Sequence, residues 1–126
     1  MATPVRVRRS HLIKIKRVYE KPAADDGVRI LVDRLWPRGF SKAALSFDVW
    51  LREVAPSATL RSWYGHDPQR YSEFRRRYCD ELSEHADELA ALRKTCKRRA
   101  ATLLTATRDL ELSHAKILRE VLGAKK

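Results

Sequence analysis

Asp33, Arg34, Trp36 and Arg38 fall within one short stretch, Asp33-Arg34-Leu35-Trp36-Pro37-Arg38-Gly39. It follows directly on an apolar run, Val28 to Val32, that reads as a buried strand. Guanidinium groups suit planar anions because their donors form a fixed fork. In an α/β domain the ligand crevice lies beyond the carboxyl ends of the strands. The stretch therefore predicts an anion-recognising edge. Two other segments can complete it: the turn Gly65-His66-Asp67, and residues 105–114, which hold Asp109 and His114. Histidine titrates near neutral pH and can act as acid or base. His114 also stands near the start of a helix, where backbone N–H groups favour anions. The candidates are His66, His114, Asp109 and Asp33 for moving or orienting protons, with Arg34, Arg38 and Trp36 as ligand contacts.

Each candidate also has a plainer structural use. Asp33 can pair with Arg34 or cap a turn, Trp36 can be core, and Arg38 can sit in a surface salt bridge. His66 can pack on Trp63, Asp109 is an obvious N-cap, and His114 can lie buried against the sheet. They make a site only if they converge in space. The chain shows no Gly-rich phosphate loop, no His-Glu-x-x-His and no nucleophile elbow. No covalent nucleophile is evident, and no cofactor or metal can be assigned. Cys79 and Cys96 are far apart, lie in helical patterns, and read as unpaired buried thiols.

The elements that must position these residues follow from periodicity. Residues 1–10 read as a basic tail and 11–126 as a single domain. His11 to Tyr19 alternates as a first strand and Val28 to Val32 is a second, central one. Leu45 to Leu51 fits either a short strand or the start of a helix. Ser57 can cap a short helix closed by Gly65. Asp67-Pro68 opens the longest stripe: Tyr71, Phe74, Tyr78, Leu82, Ala86, Leu89, Leu92 and Cys96. That stripe exceeds a usual helix, so a break is expected near Ser83–Asp87. Thr102 to Thr107 is a third strand, and Asp109 or Ser113 caps a final helix. Alternating strands and helices predict an α/β fold, a three-layer sandwich with a small, largely parallel sheet.

The 126 residues carry a net charge of +11. Such a charge favours acidic partners: nucleic acid, phosphorylated metabolites or anionic surfaces. No apolar run approaches the ~18 residues of a membrane span, and the basic N-terminal residues lead into no signal-like stretch. The expectation is a cytoplasmic protein without a membrane partner.

Several motifs together closely resemble the YeaO-like bacterial proteins of the family called domain of unknown function 488. They are Val32-Asp33-Arg34-Leu35-Trp36-Pro37-Arg38-Gly39, Trp50-Leu51-Arg52-Glu53-Val54-Ala55-Pro56-Ser57, Leu60-Arg61-Ser62-Trp63-Tyr64-Gly65-His66-Asp67-Pro68 and Phe74-Arg75-Arg76-Arg77-Tyr78. The resemblance runs from about Ile13 to Leu122 and implies a small single-domain α/β protein. It delivers no function. Asp109 and His114 keep the family pattern, whereas Thr105, Thr107 and Ser113 depart from it.

Three functions compete. The first is binding of, or action on, a small anionic ligand, with Arg34 and Arg38 as the clamp. The second is a nucleic-acid-binding module using Arg75–Arg77 and the Lys94–Arg99 cluster, although no helix-turn-helix, zinc finger or RNA-recognition signature is present. The third is a protein-interaction domain in which exposed Trp36, Trp50 or Trp63 forms a dimer contact. Whether the chain is an enzyme, and its oligomeric state, stay open at this level.

Overall fold

The computed structural model describes residues 13–123, so the basic tail lies outside the described residues. Four strands form one sheet: β1 (Ile13–Arg17), β2 (Val28–Leu31), β3 (Val49–Trp50) and β4 (Ala101–Thr105). Their order is β1-β4-β2-β3, and every pair is parallel. β2 is therefore interior, in keeping with apolar content that only Arg29 interrupts. Residues 45–51 resolve as the short edge strand β3, followed by a 3-10 turn at Arg52–Val54. Four helices complete the fold: α1 (Ala58–Tyr64), α2 (Tyr71–Ser83), α3 (Ala86–Arg98) and α4 (His114–Gly123). No helix among the described residues is long and apolar enough to cross a membrane.

Local chemistry accounts for the helix ends. Ser57 Oγ accepts the Leu60 amide at 3.1 Å to start α1, and Gly65 takes a left-handed conformation to end it. Asp67 caps a 3-10 turn rather than α2 itself, accepting the Gln69 amide at 3.0 Å. The long stripe breaks at Glu84 and His85, between α2 and α3. Ser83 Oγ donates to the Asp80 carbonyl at 2.6 Å, the acceptor that a continuing helix would offer to Glu84. The Glu84 amide turns to Glu81 instead. Ala86, a predicted stripe member, is exposed because the stripe changes phase there.

Strand alternation divides the core in two. Val28, Ile30 and Val32 face the helices with Ala101 and Leu103, and all four helices contribute to that cluster. Leu31 and Leu104 face the other way with Val18 and Leu45. That second face is covered by the connection between β2 and β3, which lays Trp36, Phe40 and Phe47 against it beside Trp50. Trp36 meets Phe47 and Trp50 edge-on, with centroids 5.6 and 5.3 Å apart. The result is an α/β sandwich whose outer layers are helices on one side and an aromatic loop on the other. Trp36, Trp50 and Trp63 are all partly buried.

Beneath the N-terminal half of that second face sits a buried ion cluster. Asp26, 1 % exposed, pairs with Arg29, with Lys14 at 2.8 Å and with Lys16 at 3.1 Å. Arg29 also donates Nε to the Ser46 carbonyl at 2.8 Å, which ties the covering loop to the sheet. Burial alone would raise the Asp26 carboxyl. Lys14, the Ala23 amide and Lys16 outweigh it and hold the group well below the usual carboxylate range. Next to it, Gly27 has φ +67, and a Cβ there would lie 2.1 Å from the Ala100 carbonyl oxygen.

Two outcomes follow for urea unfolding. Asp26→Asn strands buried cations and should cost about 3 kcal/mol at pH 7. Because the folded carboxyl is depressed, its contribution is present above pH ~4 and is lost as pH falls further, so the gap to the parent protein should narrow at pH ~3. Gly27→Ala should cost more than about 1 kcal/mol, since it combines a left-handed backbone with a backbone clash.

Candidate functional site

The carboxyl ends of β1, β4 and β2 open onto a pocket of about 410 Å³. Its centre is Asp33, two residues past β2. The Asp33 carbonyl is pinned by Trp50 Nε1 at 2.7 Å. Its carboxylate reaches across to the end of β4. Oδ1 accepts the Thr105 hydroxyl at 2.6 Å and Oδ2 accepts the Ala106 amide at 2.8 Å. His114 Nε2 lies 3.3 Å from Oδ1 and 2.9 Å from the Val32 carbonyl. Burial pushes the Asp33 carboxyl up, but the bond and charge of His114, with Thr105 and Ala106, bring it below its ordinary value. The pairing of Asp33 with Arg34, open on sequence, does not form.

His114 is the first residue of α4. Both suggested caps operate, in series. Asp109 Oδ1 accepts the Glu111 amide at 3.0 Å to hold a 3-10 turn, and Ser113 Oγ accepts the Lys116 amide at 3.2 Å to start α4. Asp109 is thereby spent on local structure and does not line the pocket. His66 does line it, exposed and with φ +58, a left-handed conformation that costs a non-glycine residue roughly 1 kcal/mol. Its ring lies 5.7 Å from that of Tyr64 rather than on Trp63. Trp63 is covered by Arg77 and Arg70 instead, at 4.3 and 5.3 Å.

Arg34, Arg38 and Trp36 all line the pocket. Arg34 is held from below, Nε donating to the Pro56 carbonyl at 2.9 Å and Nη2 to that of Ala55 at 3.1 Å. Trp36 gives its indole N–H to the Phe40 carbonyl at 2.7 Å and serves mainly the aromatic layer. Arg38 is exposed. Arg61, on α1, also lines the pocket and was not among the sequence candidates; Thr107, which the sequence set apart as a departure from the family pattern, lines it too. The signal for Arg61 was its place on the outer face of the helix that ends in Gly65-His66. Among the described residues, Arg34, Arg38 and Arg61 form no salt bridge, and Asp33 is the one carboxylate in the lining. Among the described residues, no group of three or more His, Cys, Asp or Glu side chains comes together as metal ligands. The Arg75–Arg77 run is neutralised by Glu73, Asp80 and Glu120.

Asp33→Asn replaces one acceptor oxygen with a donor, which would face either the Ala106 amide or the Thr105 hydroxyl and His114. It should cost about 2 kcal/mol in urea unfolding at pH 7, a loss that fades below pH ~4, where the parent carboxyl also protonates.

Comparison with known proteins agrees with the sequence motifs. A family profile described as the inactive DUF488-N3 subclade matches residues 12–126. Uncharacterized proteins of Mycobacterium tuberculosis and Mycobacterium bovis are each 45% identical over 113 residues, 90% of this chain and 95% of theirs. The uncharacterized protein YeaO of Escherichia coli is 40% identical over 110 residues, 87% of this chain and 96% of its own. No solved structure matches. With motifs, fold and near full-length similarity in accord, the chain belongs to the DUF488 family, in the subclade described as inactive DUF488-N3.

Proposed function

We propose that the pocket binds a small anionic ligand, carrying phosphate or carboxylate, without turning it over. The observation that carries this reading is the charge balance of the lining: three arginines without carboxylate partners among the described residues, against one carboxylate that is already saturated with donors. Three guanidinium groups lining one pocket repel one another. An anion removes that repulsion and takes up their spare donors. The location at strand carboxyl ends, beside the start of α4, adds to the attraction.

Binding is favoured over catalysis on two grounds. The family is described as inactive. In addition, no hydroxyl or thiol among the described residues hydrogen-bonds His114, so Asp33 and His114 form a pair without a nucleophile. The Asp33–His114 pair then shapes the floor, while Arg34, Arg38, Arg61 and His66 meet the ligand. A cytoplasmic setting, rich in phosphorylated and carboxylated metabolites, suits this role.

One observation favours nucleic acid as a second reading. Lys94, Lys97, Arg98 and Arg99 are exposed at the end of α3 and form no salt bridge among the described residues. Phosphate contacts there would make affinity fall steeply with salt.

Calorimetric titration with inorganic phosphate and a panel of phosphorylated and carboxylated metabolites tests the first reading. Arg38→Ala and Arg61→Ala, both at exposed positions, should each weaken binding roughly tenfold, the loss of one charge-assisted contact. Affinity unchanged in both variants overturns it.

A further inference from the structure

We infer that the ligand carries an O–H or N–H donor at the end opposite its anionic group, because the pocket floor offers side-chain acceptors and no free hydroxyl proton. This rests on the anion-binding reading above and extends it by naming a second recognition group. The argument is a proton count. The Val32 carbonyl can only accept, so His114 Nε2, 2.9 Å away, bears a proton, and in a neutral ring that proton is the ring's only one. Nδ1 is then a lone-pair acceptor. It has no hydrogen-bond partner among the described residues, yet no buried side-chain nitrogen there is left unsatisfied, so Nδ1 opens to the pocket that His114 lines. His114 is otherwise only 9 % exposed.

Thr107 supplies a second acceptor. Asp33 Oδ1 can only accept, so the Thr105 hydroxyl proton points to it across 2.6 Å. Thr105 Oγ1 must therefore accept from Thr107 Oγ1 at 2.9 Å, as it does from the Thr107 amide at 3.1 Å. The proton of Thr107 is used, and its outward lone pairs remain. The other hydroxyls of the lining are also committed. Tyr64 donates to the Leu112 carbonyl at 2.8 Å, Ser113 to that of Leu110 at 2.8 Å, and Tyr19 to that of Arg38 at 3.3 Å.

The Asp33 charge beneath this floor repels a second anionic group and attracts a donor. The exposed side-chain donors of the lining, Arg38, Arg61 and His66, stand at its solvent side. The pocket thus has two chemically opposite ends. A hydroxylated phosphate or hydroxycarboxylate fits it, and an anion with a bare alkyl tail leaves the floor unpaired.

Two measurements on the full chain test this. Nitrogen-15 NMR of the imidazoles at a pH where His114 is neutral should show its proton on Nε2; a proton on Nδ1 overturns the inference. Calorimetry then compares glycerol 3-phosphate with propyl phosphate, and glycerate with propionate, each pair sharing its charge and three-carbon skeleton. In the pair that binds, the hydroxylated member should bind roughly tenfold tighter, because a polar site left unpaired rejects the deoxy analogue. Thr107→Val, which keeps the shape, should shrink that advantage. Equal affinities within a binding pair overturn the inference and leave anion binding standing. Failure of both pairs to bind overturns the anion reading, and this inference with it.

Discussion

A carboxylate taken out of water must be given donors, and Asp33 obtains three of them from two distant parts of the chain at once. Thr105 and Ala106 come from the end of β4, and His114 from the start of α4. Each partner is itself constrained: Thr105 by Thr107, His114 by the Val32 carbonyl. The end of β2, the end of β4 and the N-terminus of α4 are thus tied at one point. The pocket floor is that knot seen from outside. Loosening it would leave several buried polar groups unpaired, which is costlier than the net worth of any one bond.

The walls have a different origin. Between β2 and β3 the chain forms no helix; it folds back as an aromatic layer over the second sheet face. The same segment carries Arg34 and Arg38, so the residues that cover the core also frame the pocket. Trp36 is where the two duties meet, its ring packed against Phe47 and Trp50 and its edge on the pocket. The Asp26 cluster braces this layer from the far end through Arg29 and the Ser46 carbonyl.

What was legible in the sequence was local. Ser57 and Gly65 bound α1 through contacts a few residues apart, and the Ser83 break needed only a helix too long for its pattern. The strands follow from their apolar patterning, but α-helices intervene only between β3 and β4, so the parallel pairing of β2 with β3 had no helical crossover to announce it. Residues Asp33, Arg34, Arg38, His66 and His114 were legible as types at strand ends, and they do share one pocket. Their roles were not. Asp33 meets Thr105 across 72 residues of chain, a contact set by strand register. Arg34 looks like a free clamp until the Ala55 and Pro56 carbonyls are placed beside it. The aromatic layer had no period to reveal it, and Arg61 had only its exposed helix face.

The net charge of +11 is therefore a poor guide until its cations are sorted by what they touch. Lys14, Lys16 and Arg29 are used by Asp26, and Arg75, Arg76 and Arg77 by Glu73, Asp80 and Glu120. The pocket arginines are different because their surroundings deny them carboxylates. The one carboxylate in the lining, Asp33, is already engaged by Thr105, Ala106 and His114. That arrangement also orients a bound anion. Against the floor it would meet the negative charge of Asp33 through a poorly solvated gap, where Coulomb repulsion is strong; at the rim it meets guanidinium groups. Orientation in this pocket thus follows from the placement of one buried carboxylate, before any specific contact with the ligand is made.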